Sequence, residues 1–171
     1  MVITRAGEAD LPAIYQLEQE CFTTPWSLEA LYEDICVNRN IYFVLRAGDM
    51  VLGYGGMWMI LDEAHITNIC VTHRERQKGY GHMLLQRMIE EAFYQGADSM
   101  TLEVRGSNIH AISLYKDFDF EIEGVRKGYY SDNGEDAFIM WKQGIKKEML
   151  LLGYNVSSRT KNDYMERSDA R

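Results

Sequence analysis

Apolar and polar positions alternate along this chain in blocks of two different periods, and the order of the blocks predicts a layered fold. Val2–Arg5 reads as a short strand. Asp10 and Pro12 mark a helix start, and Leu11, Ile14, Tyr15, Leu17, Glu18 and Cys21 keep near-helical spacing. The pattern breaks at Thr23-Thr24-Pro25-Trp26, and Ser27 suits the N-cap of a second helix, Leu28–Cys36. Ile41–Ala47 and Met50–Ile60 form a hairpin around Gly48-Asp49. Gly53, Gly55 and Gly56 in its second arm predict a bulge or a close backbone approach. Ala64–Val71 continues as a third, β-branched strand.

The second half repeats the alternation. Leu84, Leu85, Met88, Ile89, Ala92 and Phe93 make one apolar stripe on a helix that starts after Gly81 and closes at Gln95-Gly96. Met100–Val104 is a strand, Asn108 a helix cap, Ile109–Phe118 a short helix. Phe120–Arg126 and Ala137–Trp141 are strands around the polar loop Ser131-Asp132-Asn133-Gly134. The order β-α-α-β-β-β-α-β-α-β-β predicts a mixed central sheet of about seven strands with four helices on both faces, an α/β (α+β) fold. Residues 1–143 carry this pattern as one domain. Residues 144–171 are an extension, with Ile145 and Met149–Leu152 a short amphipathic stretch and Asn155–Arg171 a polar segment expected to be mobile.

Composition narrows the function classes. A chain of 171 residues, 46% hydrophobic, supports one sizeable core. A formal charge of −8 argues against direct nucleic-acid binding, whose affinity comes mostly from Lys and Arg neutralising phosphates. The three cysteines are an odd number without C-x-x-C spacing, so a reducing, cytoplasmic setting is expected. No apolar run is long enough to span a bilayer, and no basic-then-apolar signal opens the chain. His65, His73, His82 and His110 show no metal-ligand spacing, so no metal is expected.

The stretch Ile66–Leu85 carries the most chemistry. A buried strand runs into a basic loop with glycines, Arg76-Gln77-Lys78-Gly79-Tyr80-Gly81, and then into a helix. Glycines without Cβ let main-chain N–H groups at a helix N-terminus close on a phosphate. A nucleoside-triphosphate loop needs Lys then Ser or Thr after its last glycine, but His82 and Met83 stand there. A dinucleotide fingerprint needs a third glycine where Leu84 stands. A plain strand-to-helix turn remains the alternative, although Arg76, Gln77 and Lys78 favour an anion.

This loop resembles the Gln/Arg-x-x-Gly-x-Gly/Ala loop of the GNAT acetyltransferases, which grips the pyrophosphate of acetyl-coenzyme A. Phe22–Ser27, Leu61–Ala64, Asn68–Val71, Leu102–Arg105, Ser107-Asn108, Ala111-Ile112, Leu114-Tyr115, Gly128-Tyr129-Tyr130 and Glu135–Ala137 are similar, more narrowly, to the bacterial ribosomal-protein alanine N-acetyltransferases of the RimI type. The resemblance covers roughly residues 1–143. It implies a GNAT fold, with acetyl-CoA held by Ile69, Cys70 and Val71, by Arg76 through His82, and by Asn108. It also implies an acceptor groove lined by Pro25, Trp26, Tyr129 and Tyr130. The acceptor it implies is the N-terminal alanine of a basic small-subunit ribosomal protein, the eighteenth, and we expect a monomeric, cytoplasmic enzyme.

Acetyl transfer needs an uncharged amine, a stabilised oxyanion and a proton for the leaving thiolate. Glu103, at the end of a strand, is the candidate base, acting directly or through one water. Its alternative is a structural carboxylate paired with Arg105, two residues on. Tyr115 is the candidate acid toward the coenzyme sulfur, with a core tyrosine as the alternative. Asn108 is a cofactor contact or merely a cap. A main-chain N–H on Ile69-Cys70-Val71 is the expected oxyanion donor. An acetyl-cysteine step at Cys70 is disfavoured, because a strand cysteine is usually a small buried hydrophobe. An α-amino group near ~7.8 needs about 3.5 kcal/mol less deprotonation work than a lysine near ~10.4. That makes an N-terminal acceptor chemically easy. Transfer to lysine or a small amine, and a non-catalytic acyl-CoA-binding module, remain the alternatives.

Overall fold

The computed structural model of the protein describes residues 1–155. Its single sheet has seven strands: β1 (Val2–Arg5), β2 (Ile41–Ala47), β3 (Met50–Ile60), β4 (Glu63–Val71), β5 (Ser99–Arg105), β6 (Glu121–Tyr130) and β7 (Glu135–Gln143), in the order β1-β2-β3-β4-β5-β7-β6. All neighbours are antiparallel except β4 and β5, which helix α3 (Tyr80–Tyr94) connects. A parallel pair needs such a crossover, which is why the one long amphipathic helix stands between these two strands.

Period-two alternation divides the sheet's side chains between two cores. Tyr42, Val44, Tyr54 and Cys70 pack with helix α1 (Leu11–Cys21) and helix α2 (Leu28–Tyr32). Phe43, Leu45, Leu102 and Met140 pack with α3, whose Leu84, Leu85, Met88, Ile89, Ala92 and Phe93 are all buried. Each larger side chain of that stripe contributes about 1.5–3 kcal/mol by leaving water. Ser27 and Asn108 cap their helices as expected, accepting from the N–H groups of Ala30 at 3.1 Å and Ala111 at 3.2 Å.

Two expectations need correction. The second helix is regular only through Tyr32; Glu33–Val37 widens into a π-type turn. There Asp34 faces inward and accepts from Tyr42, Asn40 and Trp58. The helices number five rather than four among the described residues, because Ile145–Leu151 forms α5 in addition to α4 (Ile109–Lys116). Ile145 and Met149 are buried in the same core as α3, and the buried Lys142 ammonium is held by Glu148. Beyond Asn155, the segment expected to be mobile lies outside the described residues.

The feature that positions a site is the early end of the β4–β5 pairing. Only Glu63, Ala64 and His65 pair with Ser99, Met100 and Thr101. Past His65, β4 bulges at Thr67, where Gly56 faces Asn68 but Met57 faces Ile66. The strands then separate, and the main chain of Ile69–Val71 has no β5 partner. The glycines of β3 let its neighbours approach closely: a Cβ on Gly53 would stand 2.6 Å from the Cys70 carbonyl oxygen of β4, and one on Gly56 would collide with the Tyr42 ring of β2.

Candidate active site

A cavity of about 480 Å3 opens at the separation of β4 and β5. Ile69, Cys70 and Val71 line it from β4, and Arg76, Gln77, Gly79, Tyr80, Gly81 and His82 line it from the loop and first turn of α3. Asn108, Ala111 and Leu114 close it from α4. Ten of the predicted donor-site residues therefore meet in one cleft. Lys78 does not line it and instead pairs with Glu75 at 2.9 Å.

The loop's path has local causes. Gln77 and Gly79 both take positive φ, 62° and 82°, which turns the chain sharply into α3. Arg76 Nε donates to the Val71 carbonyl at 3.1 Å and pins the loop to the end of β4. Met83 is the first residue whose N–H enters the helix ladder, bonding Gly79 at 3.1 Å. The N–H groups of Tyr80, Gly81 and His82 precede it at the positive end of the helix dipole, which suits a phosphate. A Cβ on Gly81 would come within 3.2 Å of Leu114, so glycine also lets α4 pack close. His82 and Asp117 tie the two helices together at 3.0 Å.

The two proton-transfer candidates sit beside this cleft rather than in its lining. Glu103, on β5, is half-buried and pairs with Arg126 of β6 at 3.1 Å. Arg105, the partner anticipated from its spacing, turns elsewhere, to Thr23, Asp132, Asn133 and Glu135. Tyr115 follows Leu114 on α4 but points into the core against Phe120, ring centres 5.7 Å apart. Its hydroxyl has no hydrogen-bond partner among the described residues. Burial pushes the phenol above its ordinary range.

The predicted acceptor walls come together through Arg105. Tyr129 and Tyr130 meet edge to face at 5.1 Å, and the Arg105 guanidinium lies 3.8 Å from the Tyr130 ring centre. Burial pushes the Tyr130 hydroxyl up to about 12, partly offset by Arg105. Thr23, next to Pro25 and Trp26, donates to Asp132 at 2.7 Å and accepts from Arg105 at 3.1 Å. One guanidinium thus ties the α1–α2 loop to the β6–β7 loop. Trp26 packs near Trp58, with centroids 6.5 Å apart. Bonds from Ser107 hold the Glu135 carboxyl down at about 2, fastening the start of β7 to the β5–α4 turn.

Glu18 has no assigned role in the sequence reading, yet it is fully buried at the centre of this region. It accepts from the Trp26 N–H at 2.7 Å, from Asn68 at 2.9 Å and from the Tyr54 hydroxyl. Burial raises its pKa, while the Trp26 and Asn68 bonds oppose the shift. The available signal was a carboxylate on the apolar stripe of α1, since a buried charge must find partners. Cys21 and Phe22, also lining the cleft, were missed because each looks like ordinary core. Among the described residues no group of acidic, His and Cys side chains is arranged to hold a metal, and no helix is long and apolar enough to cross a membrane.

The profile of the acetyltransferase (GNAT) family matches residues 11–120. A Bacillus subtilis relative, provisionally named a ribosomal protein bS18-alanine N-acetyltransferase, is 38% identical over 133 residues, 77% of this chain and 88% of its own. The Escherichia coli K12 protein named ribosomal protein bS18-alanine N-acetyltransferase is 36% identical over 140 residues, 81% of this chain and 94% of its own. The crystal structure of the ribosomal-protein-S18-alanine N-acetyltransferase from Escherichia coli superimposes with a TM-score of 0.77 at 33% identity, covering 83% of this chain and 92% of that one.

Proposed function

Because the chain belongs to the GNAT acetyltransferase family, we propose that it transfers acetyl from acetyl-CoA to the N-terminal alanine of a small-subunit ribosomal protein, the eighteenth, by direct attack in a ternary complex. The observation that carries this reading is the cleft between the diverging strands. The edge of β4 that has parted from β5 faces it on one side, and the N–H groups of Tyr80, Gly81 and His82, which have no partner among the described residues, stand on the other. An elongated thioester donor with a phosphate tail fits both: the amides and Arg76 would hold the phosphates, while β4 and Asn108 would hold the acyl arm. The donor supplies an activated acetyl group.

The chain's own residues then manage protons and position. Glu103 takes the ammonium proton of the acceptor, directly or through one water, exchanging its contact with Arg126 for one with the amine. The Tyr115 hydroxyl, protonated throughout the working range, donates to the departing sulfur. Trp26, fixed by Glu18, and Tyr129 with Tyr130, fixed by Arg105, form the two walls that receive the peptide. Aromatic rings with polar tips suit a groove that is half wet.

The test is direct. Purified protein with acetyl-CoA should acetylate a short peptide that begins with Ala followed by basic residues, at its α-amino group by product mapping. A peptide with a blocked N-terminus should stay unmodified. Acetylation that persists on its lysines would replace this reading with the lysine alternative, and donor binding without any turnover would leave only a binding module.

A further inference from the structure

Two of the three cysteines meet in the wall of the donor cleft. Cys21 ends α1 and is half-exposed, Cys70 is buried on β4, and both line the same cavity. The two side chains are close enough for each to shift the other's proton affinity. Cys21 Sγ also lies 3.7 Å from the Val71 carbonyl oxygen, the atom that Arg76 Nε holds at 3.1 Å. A guanidinium is thereby fixed beside Cys21. The acetyl-transfer scheme gives Arg76 to the donor's phosphates and makes no use of the thiol pair.

We propose that Cys21 is a modification site for low-molecular-weight disulfides, with Cys70 as the resolving thiol, and that its modification closes the cleft to acetyl-CoA. This rests on the cleft being the donor site. The Cys21 thiolate attacks one sulfur of a disulfide R–S–S–R, forming Cys21–S–S–R and releasing R–S⁻, which takes up the proton Cys21 gave up. Cys70 then loses its proton and attacks the Cys21 sulfur. The Cys21–Cys70 disulfide forms, the second R–S⁻ leaves and takes that proton, and the two electrons lost by the protein reside in the two small thiols. Coenzyme A disulfide and glutathione disulfide share this chemistry.

The surroundings support the division of labour. Cys70 and Arg76 draw the Cys21 thiol down to about 7, against burial and the nearby Glu20 carboxylate. Burial pushes the Cys70 thiol well up, with Cys21 and Glu18 adding to the shift and Arg76 opposing it. An accessible thiol with a large thiolate fraction attacks first; a buried thiol resolves. Cys36 does not line the cleft, and burial pushes its thiol up, so it serves as an internal comparison.

The reduced full chain is first checked for a thermal shift with acetyl-CoA, then exposed separately to the two disulfides and mapped by intact and peptide mass. Modification is expected at Cys21, as an adduct or as the Cys21–Cys70 bond, with acetylation lost in parallel and restored by dithiothreitol. Acetyl-CoA at ten times its dissociation constant should slow the reaction about ten-fold. Cys70→Ser should accumulate the mixed disulfide, and Cys21→Ser should form none. Faster reaction with coenzyme A disulfide identifies that source; equal, protected rates support the switch with glutathione as an equal source. No thermal shift overturns the donor reading and this proposal together. A normal shift with an unreactive Cys21, with modification only at Cys36, or with a modified Cys21 that leaves activity intact overturns this proposal alone.

Discussion

Glu103 of β5 and Arg126 of β6 reach each other over the intervening β7, with 3.1 Å between carboxylate oxygen and guanidinium nitrogen. The arginine side chain is 54% exposed. A pair this accessible is worth about 0–1 kcal/mol, so an incoming ammonium can take the arginine's place at little cost. Arg126 thus orients the carboxylate without locking it. Glu103→Gln should lower kcat at neutral pH by about 10²-fold or more while leaving the KM for acetyl-CoA unchanged. The deficit should shrink as pH rises, because the acceptor then loses its proton to solvent. Parallel pH–rate profiles for parent and variant would remove Glu103 from the role of base.

Tyr115 allows a cleaner separation of chemistry from stability. Its hydroxyl holds no protein partner among the described residues, so Tyr115→Phe should change stability by less than about 1 kcal/mol. If the phenol protonates the leaving sulfur, kcat should nonetheless fall about 10²-fold. Burial raises the phenol's pKa, so the proton stays on through the range where an ordinary tyrosine, near ~10, would begin to lose it. The parent enzyme should therefore show no alkaline loss of activity attributable to this group. An unchanged kcat in the variant would return Tyr115 to a purely packing role.

The contrast between what was legible in the chain and what was not follows the range of the interactions. The α3 stripe from Leu84 to Phe93 and the caps Ser27 and Asn108 depend on residues within one or two turns, and all appear where periodicity and capping chemistry predict them. The π-type turn at Glu33–Val37 was hidden because its cause is tertiary: Asp34 is drawn inward to Tyr42 and Trp58. Ile145 and Met149 could be read as one helical face, but their arrival in the α3 core could not. At the site, the loop from Arg76 to His82 carries its own glycine signal. Glu18 gathers donors from Trp26, Tyr54 and Asn68, and Cys21 meets Cys70, through contacts between distant segments that leave no local pattern.

Glu18 links the acceptor wall to stability and pH. In Glu18→Gln, one carboxylate oxygen becomes an amide donor, so the variant cannot accept from all three of the donors that the carboxylate serves. Losing the Trp26 bond should raise the acceptor KM several-fold and leave the KM for acetyl-CoA unchanged. The pH dependence has a definite sign. Burial raises the folded pKa, so the folded state binds this proton more tightly than the unfolded chain does. The stability it contributes is complete below the unfolded value of about 4.3 and is lost as pH rises through the folded value. The gap in Tm between parent and variant should therefore narrow from about pH 4 toward neutrality in thermal melts. A gap that widens over that interval would contradict the buried carboxylate's raised pKa.

Gly79 tests the donor cradle with the smallest change. Its φ of 82° lies in the left-handed region, and a Cβ there meets nothing within 4 Å, so Gly79→Ala introduces backbone strain without a clash. That strain is about 1–2 kcal/mol. The chain can relieve it only by rotating the turn that aims the N–H groups of Tyr80, Gly81 and His82. If those amides hold the donor's phosphates, the KM for acetyl-CoA should rise about ten-fold, while the KM for the acceptor peptide, set by Trp26 and the tyrosine pair, should stay within about two-fold. Dephosphorylated or truncated donors, already lacking those contacts, should lose much less. A variant that is destabilised in thermal melts yet binds acetyl-CoA as tightly as the parent would show that the turn serves the fold alone and that the phosphates are held elsewhere.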